Sequence, residues 1–346
     1  MRIQSYSFTA FFAVSFAASF LIFVSAVNAD RIYMKEGKGR TVNGKILGIN
    51  SEKVTVDVSG KKQEIAANII RSIEFDGEPS SLKTARSNVE DSKMGEALEA
   101  LSKIDVKTLS PDMKSDYDYF TAAAKAGLFL SGGGSADDAG KVLSDFIKNQ
   151  KNSYHFFEVC EVYGDVMVAQ EKFELAKKSY EVLAKAPWPE YSLKAKVSLG
   201  WAEVAEGKID DARKNFESVI GSDNKEEEIE RVKNIAKIGL TLCLAGEKKY
   251  EEAAKELERI GRESTAEDSE FQAMIFNALG STYEKSGKTK EAILAYLHTD
   301  ILFSSARAEH IKALQALSRL WKASQRTDRG EEIDKRLQEN YNISSK

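Results

Sequence analysis

The chain has 346 residues, 30% of them charged, with 50 Lys+Arg against 54 Asp+Glu, three histidines, two cysteines and four prolines. That length can bury a large core, and a net charge of -4 argues against a dedicated nucleic-acid binder, which would usually be basic. Two cysteines and three histidines cannot build a disulfide framework and disfavour a zinc site, so neither metal nor cofactor is expected.

Residues 1–29 read as a secretory signal. Arg2 is the one charge before an apolar stretch from Phe8 to Val27, and Val27-Asn28-Ala29 supplies a small-residue cleavage site before Asp30. Ser15, Ser19 and Ser25 interrupt the stretch, which is long for a cleaved signal, so an uncleaved N-terminal anchor is the alternative. Asp30 rather than cysteine follows the cut, which excludes acylation there. The expected location is periplasmic or extracellular.

From Asp30 to Asp76 the apolar period is two. Val54, Val56 and Val58 alternate, as do Ile73 and Phe75, with Gly44, Gly48 and Gly60 as punctuation. Strands are expected at roughly 31–34, 40–49, 52–58, 61–66 and 71–75, with Ile69 and Ile70 in the last link. The pattern resembles the small SH3-like or Sm-like barrels of exported bacterial proteins. A module this small is expected to lean on the first helix after it. Gly39-Arg40-Thr41-Val42-Asn43-Gly44-Lys45 copies the start of a phosphate-binding loop, but Ile46 stands where a magnesium-binding Ser or Thr belongs. Such a loop must also open a helix, whereas the residues that follow are strand-like, so this is read as a hairpin turn.

After Glu78-Pro79 the period becomes helical, and a small residue recurs four positions before a large apolar one. The pairs are Ala97/Leu101, Ala139/Leu143, Ala176/Tyr180, Ala212/Phe216, Ala253/Leu257 and Ala292/Tyr296, with Gly330 as a seventh, weaker anchor. Their spacings of 42, 37, 36, 41, 39 and 38 fit one helix pair per step. Ser110-Pro111 reads as a cap with proline at the first helical position, Ser264 and Glu267 as a capping box, and the Ser-Gly-Gly-Gly-Ser run at 131–135 as an inter-helix loop.

Leu279-Gly280, Tyr283, Gly287, Ala292 and Tyr296 carry the spacing of the tetratricopeptide repeat. Leu199-Gly200, Gly207, Ala212 and Phe216 repeat it, and so do Tyr163-Gly164, Phe173, Ala176 and Tyr180. Residues 80–342 thus resemble the tetratricopeptide-repeat (TPR) family, departing from it at Thr241, where Gly is usual, and Asn88, where Tyr is usual. The resemblance implies a mainly α fold: a right-handed TPR-like α-solenoid of about seven helix pairs over 77–346, preceded by the all-β module at 30–76. Stacking supplies the core of such repeats, which should unfold only partly cooperatively.

Catalytic signals are weak. His155, His298 and His310 fall in three separate helical regions without metal-ligand spacing, and read as ordinary surface or interface residues. Cys160 and Cys243 read as small core side chains. The acidic pairs belong to solvated helix faces, so no enzyme is expected. The TPR resemblance turns certain first-helix positions toward a concave groove. These are Glu158, Glu161 and Asp165, then Lys194, Val197 and Trp201, then Ile238 and Leu242. Further along come Asn277, Ser281, Glu284 and Lys285, followed by Lys312, Arg319 and Lys322. The groove would run from acidic through apolar to basic and suit a peptide of mixed charge, unless Trp201, Ile238 and Leu242 belong to the core. The lysine-and-asparagine clamp that some family members use for a C-terminal carboxylate is not reproduced. The last two repeats resemble periplasmic TPR proteins that coordinate cell-wall synthesis and outer-membrane constriction. The expected function is a non-catalytic envelope scaffold with a protein or peptide partner, possible in a cell-wall or outer-membrane complex and without nucleic acid. Alternatives are an accessory or glycan-binding relative of cell-wall enzymes and an extracellular structural subunit.

Overall fold

The computed structural model describes residues 29–265, 267–341 and 343, so all of the expected signal except Ala29 lies outside the described residues. The β module comprises β1 (Asp30–Met34), β2 (Val42–Ile49), β3 (Lys53–Val58), β4 (Lys61–Ala66) and β5 (Ile70–Glu74). They form one antiparallel sheet in the order β4-β3-β2-β1-β5, so the last strand returns beside the first. Ile70 opens β5 rather than lying in the link, where a short 3-10 turn (Ala67–Ile69) stands instead. Residues 42–44 of β2 pair with β1 and residues 45–49 with β3. The strand changes partners at Gly44, where a Cβ would meet the Asp57 carbonyl oxygen at 2.3 Å, so only glycine fits.

Fourteen helices follow among the described residues, in seven pairs. They are α1 (Ser80–Glu90) with α2 (Met94–Ser102), α3 (Pro111–Leu130) with α4 (Ala136–Asn149), and α5 (Phe156–Ala169) with α6 (Phe173–Leu183). Next come α7 (Pro189–Glu206) with α8 (Ile209–Ile220) and α9 (Glu227–Gly246) with α10 (Tyr250–Glu263). The last are α11 (Ser269–Lys285) with α12 (Thr289–Leu302) and α13 (Arg307–Ala323) with α14 (Thr327–Tyr341). Every anchor alanine lies on a second helix and is fully buried, and Gly330 is buried on α14. The close contact that the pattern implies is present: a Cβ on Gly164 would meet the Tyr180 ring at 2.2 Å, and one on Gly280 the Tyr296 ring at 2.6 Å. Phe216 is wedged between two such glycines, Gly200 and Gly239, one from each neighbouring first helix.

Each first helix ends in the same way. The backbone N–H of Lys93, Gly133, Lys172, Lys208, Lys249, Lys288 or Arg326 donates to a carbonyl five residues back, at 2.7–2.9 Å. The preceding residue adopts a left-handed φ in all seven, and only Gly132, Gly207 and Gly287 among them are glycine; Ser92, Glu171, Lys248 and Gln325 take φ of 57°, 58°, 64° and 61°. Six of the seven donors are Lys or Arg, placing a cation beside the negative end of the helix.

Ser110 caps α3 as expected, accepting from the Met113 N–H at 3.3 Å, and Ser135 caps α4 after the glycine run. The expected box at Ser264 is corrected. Asp268 caps α11 by accepting from Phe271 N–H at 3.1 Å, while Ser264 ends α10 and bonds Gln272 at 2.8 Å. The β module also rests elsewhere than expected. Its core of Ile32, Val54, Val56, Ile65, Ile70, Ile73 and Phe75 is completed by Met113, Tyr154 and Trp188, which sit at the starts of α3, α5 and α7. The first helix, α1, contributes ion pairs instead, Lys83–Glu74 at 2.5 Å and Arg86–Glu78 at 2.7 Å. At the far end α13 returns to the beginning of the solenoid: Arg307 Nε donates to Ser92 O at 2.9 Å and Gln315 Nε2 to Ser131 O at 2.7 Å. No helix among the described residues is long and apolar enough to cross a membrane.

The glycine–ring contacts predict an asymmetric response to one added methyl. Gly280→Ala should destabilise by about 1–3 kcal/mol through overpacking against Tyr296. Gly261→Ala meets its nearest neighbour at an ordinary 3.6 Å and should be neutral or stabilising by up to about 1 kcal/mol. Urea denaturation of both variants checks the register.

Candidate binding cavity

The β module and the inner face of the solenoid enclose a cavity of about 810 Å³. One wall is the β1–β2 turn with Lys35, Glu36 and Lys38, together with Asn68 and Ile69 of the 3-10 turn. The other walls come from α5 (Glu161, Asp165), the α7 segment (Trp188, Tyr191, Lys194, Val197, Trp201) and the start of α9 (Glu228, Arg231, Val232, Ile235). Two bonds tie the module across the mouth: Lys38 pairs with Glu228, and Asn68 Nδ2 donates to Glu190 Oε1 at 2.6 Å.

Below the cavity floor lies a buried polar chain. Arg86 makes two 2.7 Å bonds to the Glu78 carboxylate and stands 3.8 Å from Asp116. Burial opposes the guanidinium charge, but Glu78 and Asp116 more than restore it and raise the pKa. Tyr154 donates to Asp116 at 3.4 Å, and His155 lies 3.5 Å from both Asp116 and Glu158. The His155 ring stacks on Tyr119 at 3.4 Å, and Tyr119 donates to Glu158 at 2.8 Å. Burial would depress the His155 pKa, yet the two carboxylates raise it above its ordinary value. Burial likewise opposes the Glu158 charge, but His155 and Tyr119 hold that carboxyl at about 2 although half of it meets solvent.

Glu161 and Asp165 behave oppositely. Burial, with Glu158 as a like charge, pushes Glu161 up. Burial and then Glu161 push Asp165 up to about 7, against the bond it accepts from Tyr180 at 2.7 Å.

The expected groove residues therefore divide. Glu161, Asp165, Lys194, Val197 and Trp201 converge on one cavity, with Glu158 beside them. Trp201 is half-buried and packs edge-on against Phe216 at 5.7 Å while lining the cavity, whereas Ile238 is a core residue and Leu242 packs against that core. The more distal residues do not line it and mostly bond within the solenoid. Asn277 bonds Glu309 and Thr299, Glu284 accepts from Tyr296 and Arg319, and Lys322 pairs with Asp334. Ser281 is half-buried, and Lys285 and Lys312 are exposed, the latter bonded to Glu309 at 2.6 Å. The surface-or-interface reading of the histidines is corrected for His310, which is buried and bonded to Asp300 at 2.7 Å, and His155 is buried at the junction with the β module. Cys160 and Cys243 are buried thiols, raised by burial to about 12 and about 11.

The sequence reading missed Trp188, Tyr191 and the whole β-module wall. A Trp-Pro pair opening a helix was the only available signal, and nothing in the strand pattern points Lys35 or Asn68 at residues over a hundred positions away. A second cleft of about 470 Å³, between α8, α9 and α10, holds Arg213 and Arg259. Both guanidiniums are already paired, with Glu247 and with Glu256 and Glu263. Among the described residues no group of three or more His, Cys, Asp or Glu is placed to hold a metal ion.

The tetratricopeptide repeat-like domain family matches residues 181–316. The helical region is a TPR-like solenoid. The structure of NprR in complex with its cognate peptide NprX superposes with a TM-score of 0.55 at 14% identity, covering 74% of this chain and 76% of that one. A Rap protein complexed with competence and sporulation factor gives 0.46 at 12% identity, covering 74% of each chain. A tetratricopeptide repeat protein from Parabacteroides merdae gives 0.45 at 12%, covering 74% of this chain and 90% of that one. No curated protein matches the chain significantly.

The raised Asp165 carboxyl makes stability fall with rising pH. Between its ordinary value near 3.8 and its folded value near 7, the unfolded chain ionises freely while the folded chain resists, and above pH 7 the full cost is present. Asp165→Asn removes that cost. Its urea stability should exceed the parent's by roughly 1–3 kcal/mol at pH 8 and match it near pH 4.

Proposed function

We propose that this protein is an exported, non-catalytic scaffold of the cell envelope whose concave cavity holds a protein or peptide partner. The observation that carries this reading is the cavity: about 810 Å³, walled by Trp188, Tyr191, Val197 and Trp201 and fringed by ionised groups of both signs. Large aromatic surface beside charge is the composition of interaction hot spots, and concave sites of this size suit ligands that bury most of their surface. The TPR-like solenoid supports the reading, since NprR, which shares the fold, was solved with its cognate peptide. Export rests on the apolar stretch from Phe8 to Val27 and the Val-Asn-Ala site before Asp30.

Trp201→Ala should weaken capture of the partner from envelope extracts by about 2 kcal/mol, roughly thirtyfold, with the helical circular dichroism retained. A melted variant would instead assign Trp201 to the core, and unchanged capture by a folded variant would move the binding surface elsewhere. Mass spectrometry of the native protein should find Asp30 as the first residue; recovery of residues 1–29 would establish an anchor.

A further inference from the structure

Glu161 and Asp165 stand one helical turn apart on α5, so their side chains share a face, and both line the cavity. Neither is held in an ion pair among the described residues. Asp165 accepts from Tyr180, while Glu161 has no hydrogen-bond or ion-pair partner among the described residues. Lys194 and Lys35 act electrostatically on Glu161, along with the like-charged Glu158, and Lys312 acts more weakly on Asp165. None of these lysines forms an ion pair with either carboxylate. Lys194 holds its ammonium 5.4 Å over the Tyr191 ring, and Lys312 is bonded to Glu309. Of the other cations lining the cavity, Lys38 is paired with Glu228 and Arg231 with Glu270, while Lys35 forms no ion pair among the described residues. Beside this carboxylate pair lies apolar surface from Val197 and Trp201.

Two half-buried carboxylates with raised proton affinity are an electrostatic deficit that the fold tolerates rather than resolves. A ligand cation placed between them would complete the site. We propose that the cavity takes a lysine or arginine side chain of a bound peptide, its charged head between Glu161 and Asp165 and its aliphatic stem along Val197 and Trp201. This rests on the reading of the cavity as a peptide site and names the chemistry of its partner. A long basic side chain matches both halves of the surface, because its stem is apolar and its head carries the donors that carboxylates accept. Because the empty site holds a proton that the cation displaces, affinity rises with pH through about 7.

The test is selection from a random heptapeptide phage library on the purified protein and, in parallel, on the Glu161→Gln/Asp165→Asn double variant. The expected result on the parent is a family of binders with Lys or Arg at one fixed position beside an apolar residue. Replacing that residue by norleucine should weaken binding at least tenfold, and the double variant should lose the preference. Binders without a fixed basic position, or an equal preference on the folded double variant, would overturn the proposal while leaving the peptide site intact. Selected peptides that bind the Trp201→Ala variant as well as the parent, or a failure to select any binder, would overturn the peptide reading itself.

Discussion

The guanidinium of Arg86 is buried between Glu78 and Asp116 and faces the Phe120 ring at 5.6 Å. A charge in such a place survives only when its partners stay with it, and losing one side of a buried pair typically costs about 3–5 kcal/mol. The bond therefore fixes three segments at once: the turn after β5, helix α1 and helix α3. Asp116, 1% exposed, hands the constraint on to Tyr154 and His155 at the start of α5, and His155 hands it on to Glu158 at the groove. An unbroken run of polar contacts thus links Arg86 to a carboxylate 72 positions away that the guanidinium never touches.

The position of the β module follows from this chain. Its apolar core is not closed by its own residues but by Met113, Tyr154 and Trp188, one from the start of each of three successive first helices. Stacking brings those starts into a row, so the solenoid presents a ledge that no single repeat has. The module sits on the ledge, and its β1–β2 turn reaches over the groove to Glu228. The cavity is consequently a joint product: neither the module nor the solenoid encloses it alone.

The repeat register was legible because it rests on volume. Ala and Gly facing a ring four positions on, or across the pair, is a steric demand that the sequence must meet at every step. The helix turns were less legible for a matching reason. The left-handed residue is needed at each pair, but its cost of about 1–2 kcal/mol is small enough for Ser, Glu, Lys and Gln to bear, so only three of the seven turns, at Gly132, Gly207 and Gly287, carry a glycine. The groove was half legible. Positions on α5 and α7 converge as the family geometry implies, while Asn277, Glu284 and Arg319 are engaged in bonds between neighbouring helices, which a count from anchors cannot foresee. The junction with the β module was not legible, because it depends on contacts between segments that no local period connects.

Helix α13 lies against the turns at Ser92 and Ser131, so the superhelix meets its own beginning. An open stack can gain or lose a repeat at either end with little consequence, as a row of bricks can. A ring has a circumference. Inserting or deleting one helix pair anywhere between α4 and α13 would carry Arg307 and Gln315 past their carbonyl partners, and the error could not be confined to the site of the change. The number of repeats in this chain is thereby a property of its closure, and length variation, ordinarily the easiest change open to a solenoid, is the one this architecture resists.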